Sequence, residues 1–273
     1  MKQKNDNPYI IEKQKETRKI IITEIIILIL FVGLWELFAR IGLINDFLFS
    51  YPSEILKLIV NYFKTGEIYK HIGISLLETI LGLLIGTIIG ILIAVIIWWY
   101  PFLAKVLDPY LVVLNALPKT ALAPILIIWA GTGIKGITVV AVSISLVLTV
   151  ISCYNYFINV ELEKIKMFKS FGANKWQILW KLIIPANIPN LINVIKINIG
   201  MTWVGVIVGE FLVSRAGIGY LIVYGSQVFK MDVVMAGVVI LAIIAFGMYQ
   251  IVSMIENRIR KKRGIRWKNC YCY

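Results

Sequence analysis

Long runs of apolar residues recur along most of the chain and limit its fold more than any other feature. Six such stretches lie at about 20–38, 72–99, 109–130, 136–157, 190–213 and 233–256. Because a bilayer core about 30 Å thick needs roughly 20 mostly apolar residues in a helix, these stretches have the length to cross it. Backbone polar groups in hydrocarbon must be paired within the segment, which favours helices. We therefore predict an all-α polytopic membrane protein with about six transmembrane helices over residues 20–256.

The composition is that of a chain surrounded by lipid. Of the 273 residues, 59% are apolar and 16% are charged, whereas soluble domains average about 45–50% apolar and about 25% charged residues. The first apolar stretch ends in the bulky and charged residues 35–40, where a cleavable signal peptide would have small residues. We expect this stretch to be retained as a membrane anchor.

The net charge of +13 is distributed unevenly across the predicted topology. Nineteen of the 28 Lys and Arg residues fall in the two terminal segments and in the loops on the same side of the membrane. This excess is typical of cytoplasmic segments, so we expect both termini in the cytoplasm. They form a basic arm at 1–19 and a basic tail at 257–273. The tail is expected to contact anionic membrane lipids, and binding of nucleic acid is not expected.

The sequence does not contain residues suited to catalysis or metal binding at the spacing that such sites need. His71 is the single histidine, Cys153 lies in a predicted span, and Cys270 and Cys272 lie in the tail. This spacing does not form a metal site. The chain also lacks a G-x-x-x-x-G-K-[ST] phosphate-binding loop and a paired nucleophile and base. We predict that it is not an enzyme and holds neither a metal nor a cofactor.

Glycines mark one face of the second predicted span. Gly82, Gly86 and Gly90 are spaced by four residues, so they fall on the same side of a helix. Small residues on one face allow another helix to approach closely in a membrane. We predict tight helix packing along this face.

Three of the charged residues inside predicted spans, Lys119, Lys196 and Glu210, are candidates to line a translocation pathway. Lys119 lies between Pro118 and Pro124, which are expected to kink the third span. A charge at mid-membrane costs about 2.5–3.5 kcal/mol on insertion scales. We therefore expect Lys119 to face a pathway, where a cation would suit an anionic substrate. Lys196 could instead reach the interface, and for Glu210 structural pairing and substrate gating both stay open.

The longest predicted cytoplasmic loop, residues 158–189, has the pattern of two amphipathic helices joined by a turn. Leu162, Ile165 and Phe168 form an apolar stripe in the first helix. Gly172 is suited to a left-handed cap that ends this helix, and Pro185 is expected to end the second. Periodicity leaves two interpretations open: docking to a partner protein, or lying flat on the lipid surface.

This loop resembles the cytoplasmic signature of binding-protein-dependent ABC permeases. The signature reads E-A-A, three residues, G, nine residues, I-x-L-P, and the chain matches it at Gly172 and at Leu182-x-Ile184-Pro185. It departs from the signature at the E-A-A positions, which are Lys166-Met167-Phe168. The nearby Glu161 and Glu163 are candidates to replace the missing glutamate.

The resemblance extends over roughly residues 28–256 and points to the nitrate, sulfonate and taurine branch of these permeases. It is carried by the shared order and spacing of short motifs rather than by any one of them. These are Trp35-Glu36-Leu37-x-Ala39-Arg40, Pro52-Ser53, Ser75-x-x-x-Thr79-x-x-Gly82, Pro118-Lys119-x-Ala121-x-x-Pro124, Trp129-x-Gly131-x-Gly133, Trp203, Glu210 and Gly217-x-Gly219-Tyr220.

The resemblance implies the type I ABC importer permease fold in a bacterial cytoplasmic membrane. Implied partners are two ATP-binding subunits, which hold ATP and Mg, an extracytoplasmic substrate-binding protein, and a second permease copy in a homodimer. Substrates of similar systems include sulfonates, taurine, nitrate and the pyrimidine precursor of thiamine. ATPase-coupling roles are implied for Glu161, Glu163, Lys166, Phe168, Phe171, Gly172, Ala173 and Pro185, and pathway roles for Lys119, Trp203 and Glu210.

An ion-coupled secondary transporter is the alternative from another class. Such proteins are commonly built from inverted repeats with interrupted helices in both halves. The third span is interrupted by prolines, and the second half of the sequence has no matching element. The sequence therefore favours the ATP-driven importer.

Overall fold

The computed structural model describes residues 8–43 and 50–262, and this part of the chain is helical with no β-strand. The predicted arm is helical from Pro8 onwards, while residues 1–7 of the arm and 263–273 of the tail lie outside the described residues. The helices are α1 Pro8–Arg40, α2 Pro52–Thr65, α3 Glu67–Trp99, α4 Pro101–Ala116, α5 Lys119–Ala130, α6 Ile134–Ile158, α7 Leu162–Ser170, α8 Lys175–Ile178, a π-helical turn Leu179–Ile183, α9 Ile184–Val213, α10 Ile218–Gln227 and α11 Met231–Lys262.

The prediction of an all-α membrane protein with about six spans is confirmed. Five helical stretches are long and apolar enough to cross a bilayer: Arg18–Arg40, Glu67–Trp99, Ile134–Ile158, Lys175–Val213 and Met231–Ile259. The sixth span corresponds to α4 and α5 together, which are bent by 98° where they meet. The bend falls at Leu117 and Pro118, because proline cannot continue the hydrogen-bond ladder of the preceding helix.

The centre of the bundle is formed by α3, α6 and α9, with α6 packed between the other two. A Cβ added at Gly82 would lie 2.8 Å from Ala141 Cβ of α6, and one at Gly90 would lie 2.6 Å from Thr149 Cβ. A Cβ at Gly86 would overlap the Ser145 hydroxyl. The glycine face of α3 therefore lies directly against α6, since larger side chains would force the helices apart.

A second pair of glycines brings α9 close to α6. A Cβ at Gly205 would lie 2.5 Å from Ala141 Cα, and one at Gly209 would lie 3.0 Å from a methyl carbon of Ile137. The sequence analysis did not identify this pair. As a result, 61% of the most apolar window of α6 is buried in the bundle, whereas none of that of α1 is buried.

The helix α1 lies at the edge of the fold and is held near its end by Glu36. The Glu36 carboxylate accepts hydrogen bonds from the Ser53 backbone N–H at 3.1 Å and from the Ser53 hydroxyl at 3.0 Å. It also forms an ion pair with Arg40 at 2.8 Å. These contacts fix the start of α2 to the end of α1, while the apolar side chains of α1 stay exposed to lipid or to another protein.

Candidate functional site

The 158–189 segment forms a helical hairpin at one end of the bundle. The first helix, α7, ends at Gly172, which has a left-handed φ of +73°. The Gly172 N–H donates to the Lys169 carbonyl at 2.9 Å, and the Ala173 N–H donates to the Phe168 carbonyl at 3.0 Å. Glycine adopts this conformation without the steric cost that a Cβ would bring, so the turn has a fixed geometry.

The second helix of the hairpin begins with a capping box. The Asn174 side chain accepts from the Gln177 N–H at 2.8 Å, and the Gln177 side chain accepts from the Asn174 N–H at 2.9 Å. The expectation that Pro185 ends this helix is wrong, since Lys175–Val213 is one continuous helical stretch. A π-helical turn precedes Pro185; it shifts the hydrogen-bond pattern, so the missing N–H of proline is tolerated in the first turn of α9.

One side of the hairpin is packed onto the ends of the spans. Four apolar residues of its second half are buried against Ala94 of α3 and against Cys153 and Phe157 of α6. These four residues are Ile178, Leu179, Leu182 and Ile183. These four side chains therefore pack within the chain and join the hairpin to α3 and α6.

The tip of the hairpin carries the apolar side chain of Phe171, which is 83% exposed. Leu162 at the start of α7 and Trp176 in α8 are also exposed. Phe168 and Ala173 are half-buried beneath them. An exposed apolar patch next to charged residues marks an interaction surface.

The predicted acidic residues lie on the exposed surface of the same hairpin. Glu161 pairs with Lys164 at 2.9 Å, with both side chains more than half exposed, so this ion pair adds at most about 1 kcal/mol to stability. Glu163 and Lys166 are also exposed on α7. The structure thus presents charged residues around the apolar tip.

Lys175 connects the hairpin to the end of α3, a link that the sequence analysis missed. Its Nζ donates a hydrogen bond to the Trp99 backbone carbonyl and lies 5.1 Å from the centre of the Trp99 ring. The Trp176 ring contacts the Trp99 ring at a centroid distance of 5.0 Å. A cation at the carboxyl end of a helix is favoured by the helix dipole, so Lys175 caps α3 from the hairpin.

The three predicted pathway residues do not lie together. Lys119 is half-exposed at the start of α5, beside the α4–α5 bend, and its Nζ donates to the Asn115 carbonyl at 3.4 Å. Trp203 and Glu210 are instead buried within the bundle, with 3% and 1% of their surface exposed.

Glu210 belongs to a buried polar cluster that joins α3, α9 and α10. Its carboxylate accepts from the Ser75 hydroxyl at 2.5 Å and from the Gly219 N–H at 2.5 Å. Glu78 of α3 is buried next to this cluster, with 1% of its surface exposed. The sequence analysis did not single out Glu78, although it lies three residues after Ser75 and therefore on the same helix face.

The other charged residue predicted within a span, Lys196, forms an ion pair with Glu256 of α11. Only 12% of the Lys196 side chain and 6% of the Glu256 side chain are exposed. The Lys196 Nζ also lies 5.2 Å from the centre of the Tyr249 ring. The structure therefore places Lys196 in a contact between helices.

Taken together, the glycine-packed bundle of spans, the hairpin that projects from one end and the bent sixth span define an integral membrane component of a transport system. The chain belongs to the family of binding-protein-dependent transport system inner membrane components, whose family model matches residues 86–261. It is a multi-pass inner-membrane permease of an ATP-binding cassette importer.

Named relatives agree with this assignment over most of their length. A Bacillus subtilis protein named for transport of aliphatic sulfonates is 24% identical over 88% of this chain and 85% of its own. The taurine transport system permease protein of Escherichia coli is 23% identical over 84% and 86%. The formylaminopyrimidine transport permease protein of Halalkalibacterium halodurans is 24% identical over 84% and 92%.

Solved structures confirm the predicted type I importer permease fold. A bacterial ABC transporter involved in the import of the acidic polysaccharide alginate has a chain with a TM-score of 0.64 and 13% identity. The match covers 91% of this chain and 97% of that one. The same transporter in complex with an alginate pentasaccharide-bound periplasmic protein gives a TM-score of 0.61 at 14% identity, covering 91% and 98%.

Proposed function

We propose that this permease carries a small anionic solute of the sulfonate or taurine class across the cytoplasmic membrane, with both chain termini in the cytoplasm. Two of the relatives above are named for aliphatic sulfonates and for taurine. Lys119 supports an anionic substrate, because it places a cation within a span at the α4–α5 bend. The relative named for formylaminopyrimidine makes an uncharged pyrimidine the substrate class to test against.

The energy comes from two ATP-binding subunits, which hold ATP and Mg, and an extracytoplasmic binding protein delivers the substrate. The observation that carries this part of the proposal is the exposed apolar tip at Phe171 on a hairpin whose other side is packed onto α3 and α6. A partner that docks on this tip can move both spans, because the contacts beneath it are buried. Docking contacts that differ between two states of the partner then shift the permease between its own two states.

A second copy of the permease completes the pathway. Lys119 is only half-buried in one copy, and an uncovered charge facing lipid would be costly. A second copy packed against the α4–α5 bend would cover this residue and enclose a passage between the two chains. Trp203 and Glu210, which are buried within one copy, would then pack behind the residues that line the pathway.

The docking role is tested by Phe171→Asp in the complete transporter reconstituted in liposomes. We expect the charge to abolish retention of the ATP-binding subunits and uptake, because it lies at the centre of an apolar contact. Phe102→Asp is the matched control, since Phe102 is 80% exposed outside the hairpin, and it should keep both activities. Wild-type uptake by the Phe171 variant would refute the docking role.

The substrate class is tested by Lys119→Met and Lys119→Arg with radiolabelled taurine, an alkanesulfonate and formylaminopyrimidine. We expect the methionine variant to lose uptake of the anions by at least about tenfold, while the arginine variant keeps most of it, because arginine preserves the charge. Assembly with the ATP-binding subunits should be unchanged in both. Equal anion uptake by the two variants would refute a role of the charge in substrate choice.

A further inference from the structure

The cluster around Glu78 and Glu210 has a feature that neither packing nor the proposed pathway explains. Both residues are glutamates and both are 1% exposed. Glu78 lies one turn after Ser75, whose hydroxyl donates to Glu210, so the two buried carboxyl groups are neighbours. A carboxylate has acceptor oxygens only. A hydrogen bond between two carboxyl groups therefore requires that one of them carries a proton.

The surroundings of Glu210 are those of a bound anion. Its oxygens accept from the Ser75 hydroxyl and from the backbone N–H group of Gly219. Gly219 and Tyr220 lie in the first turn of the ten-residue helix α10, where unpaired N–H groups and the helix dipole favour negative charge. Ser75 in turn accepts from the Ile218 N–H at 2.8 Å, so its hydroxyl is oriented to donate to Glu210.

The backbone of the loop before α10 is shaped to receive this carboxylate. Gly217 has a φ of +131°, and a Cβ there would overlap the Glu210 carboxyl group. A Cβ at Gly219 would lie 2.8 Å from Glu210 Oε2. The two glycines therefore leave the space that the Glu210 side chain occupies.

Glu78 has the surroundings of a neutral acid. Its Oε2 atom is buried and has no hydrogen-bond partner among the described residues, and a buried charge without partners is far more costly than a neutral group. The structure thus provides Glu210 with donors and leaves Glu78 Oε2 without one among the described residues.

Few other ionisable groups face the pair. His71 of α3 lies one turn before Ser75, accepts from the Gly217 N–H at 3.0 Å and stacks on Tyr220 of α10 at 6.0 Å. Arg215, in the loop between α9 and α10, is exposed. His71 and Tyr220 also line a surface cavity of about 160 Å³, which brings solvent to the neighbouring side of the cluster.

We propose that Glu78 and Glu210 form a proton-binding site in which Glu78 holds one proton and donates it to the Glu210 carboxylate. The proton joins α3 to α9, and the Glu210 carboxylate holds the first turn of α10. The groups of this site all lie within one chain.

The test is infrared spectroscopy of the purified full-length permease in lipid nanodiscs, in which the spectrum of each variant is subtracted from that of the wild type. The pH is mildly alkaline, so that exposed carboxyl groups are ionised. We expect the wild type to show the C=O stretching band of a protonated carboxyl, shifted in D₂O. This band should be lost in Glu78→Gln, whose neutral amide can also donate to Glu210. It should be kept in Glu54→Gln, which removes an exposed glutamate of α2.

Two results would overturn the proposal: absence of the band from the wild type, or its full retention in a folded Glu78→Gln variant. A sodium ion held between two carboxylates would also neutralise the pair. It would give no protonated-carboxyl band, and thermal stability would instead depend on sodium concentration, which counts against the proposal. If Glu78→Gln does not fold, Glu78→Asp keeps the carboxyl group and must shift the band frequency; an unshifted band overturns the assignment to Glu78.

Discussion

The ion pair between Lys196 and Glu256 gives the sharpest prediction about what holds the spans together. Both side chains are nearly buried, with 12% and 6% exposed, so neither charge is stabilised by much water. Removing one partner of a buried pair costs about 3–5 kcal/mol, because the other charge is left in a low-dielectric environment. Lys196→Met also removes the cation from the Tyr249 ring, which is worth about 0.5–2 kcal/mol.

We expect Lys196→Met and Glu256→Gln each to lower the free energy of unfolding by about 3 kcal/mol or more. Glutamine keeps hydrogen-bonding groups at position 256, which matters because Glu256 makes a further contact. In the double variant no charge stays buried, so its loss should be about 2 kcal/mol or less. The assay is reversible unfolding of the purified permease in mixed micelles by increasing the SDS fraction.

If both charges are buried together, the loss of stability in the double variant must be smaller than the sum of the two single losses. If the loss in the double variant equalled the sum of the two single losses within about 0.5 kcal/mol, the two residues would act independently. The burial argument would then be wrong. Lys181→Met is the control, since Lys181 is an exposed lysine in the π-helical turn before α9; it should change stability by less than about 0.5 kcal/mol.

Two further predictions concern helix packing and the hairpin. Gly86→Leu should lower the stability of the permease in the same assay by about 3 kcal/mol or more, because even a Cβ overlaps Ser145. Gly73→Ala, on the same helix but in open space, should be neutral or stabilise by up to about 1 kcal/mol; equal losses would refute the packing argument. Lys175→Met should leave assembly with the ATP-binding subunits intact but lower the uptake achieved per ATP hydrolysed, since it removes the link to Trp99. Lys181→Met serves as its control, and an unchanged ratio in the Lys175 variant would refute the role of that link.

The sequence predicts the spans well because each of them is a local property of a continuous apolar run. The sequence predicts the ends of helices less well where a residue such as proline is compatible with two local structures. Pro185 was expected to end a helix, but proline is also tolerated in the first turn of one, and the π-helical turn before it makes that position available. Pro118 shows the other outcome, because there the helix does break and the chain turns by 98°.

The sequence predicts the contacts between distant residues poorly. Ser75 and Glu210 are 135 residues apart, and Lys196 and Glu256 are 60 apart, so which pairs meet depends on how the helices pack. Glycine spacing does indicate which face of α3 is close to another helix, and Glu78 lies four residues before Gly82 on that face. An acidic residue on a face meant for close packing must be buried, and this signal could have identified Glu78.

Comparison of the three charged candidates for the pathway, Lys119, Lys196 and Glu210, narrows the choice of pathway residue. Lys196 is neutralised by Glu256 of another helix, and Glu210 is surrounded by donors from α3 and α10. The charge of each residue is therefore stabilised by contacts within the chain, and neither charge needs a substrate to stabilise it. Among the described residues Lys119 has only a carbonyl contact at 3.4 Å, which is long for a hydrogen bond from a cation. Its side chain stays half-exposed beside a bend. A lysine with such a weak hydrogen bond within its own chain requires a partner from outside the single copy. We propose that this partner is an anionic solute passing the bend, and Lys119→Met is designed to test this.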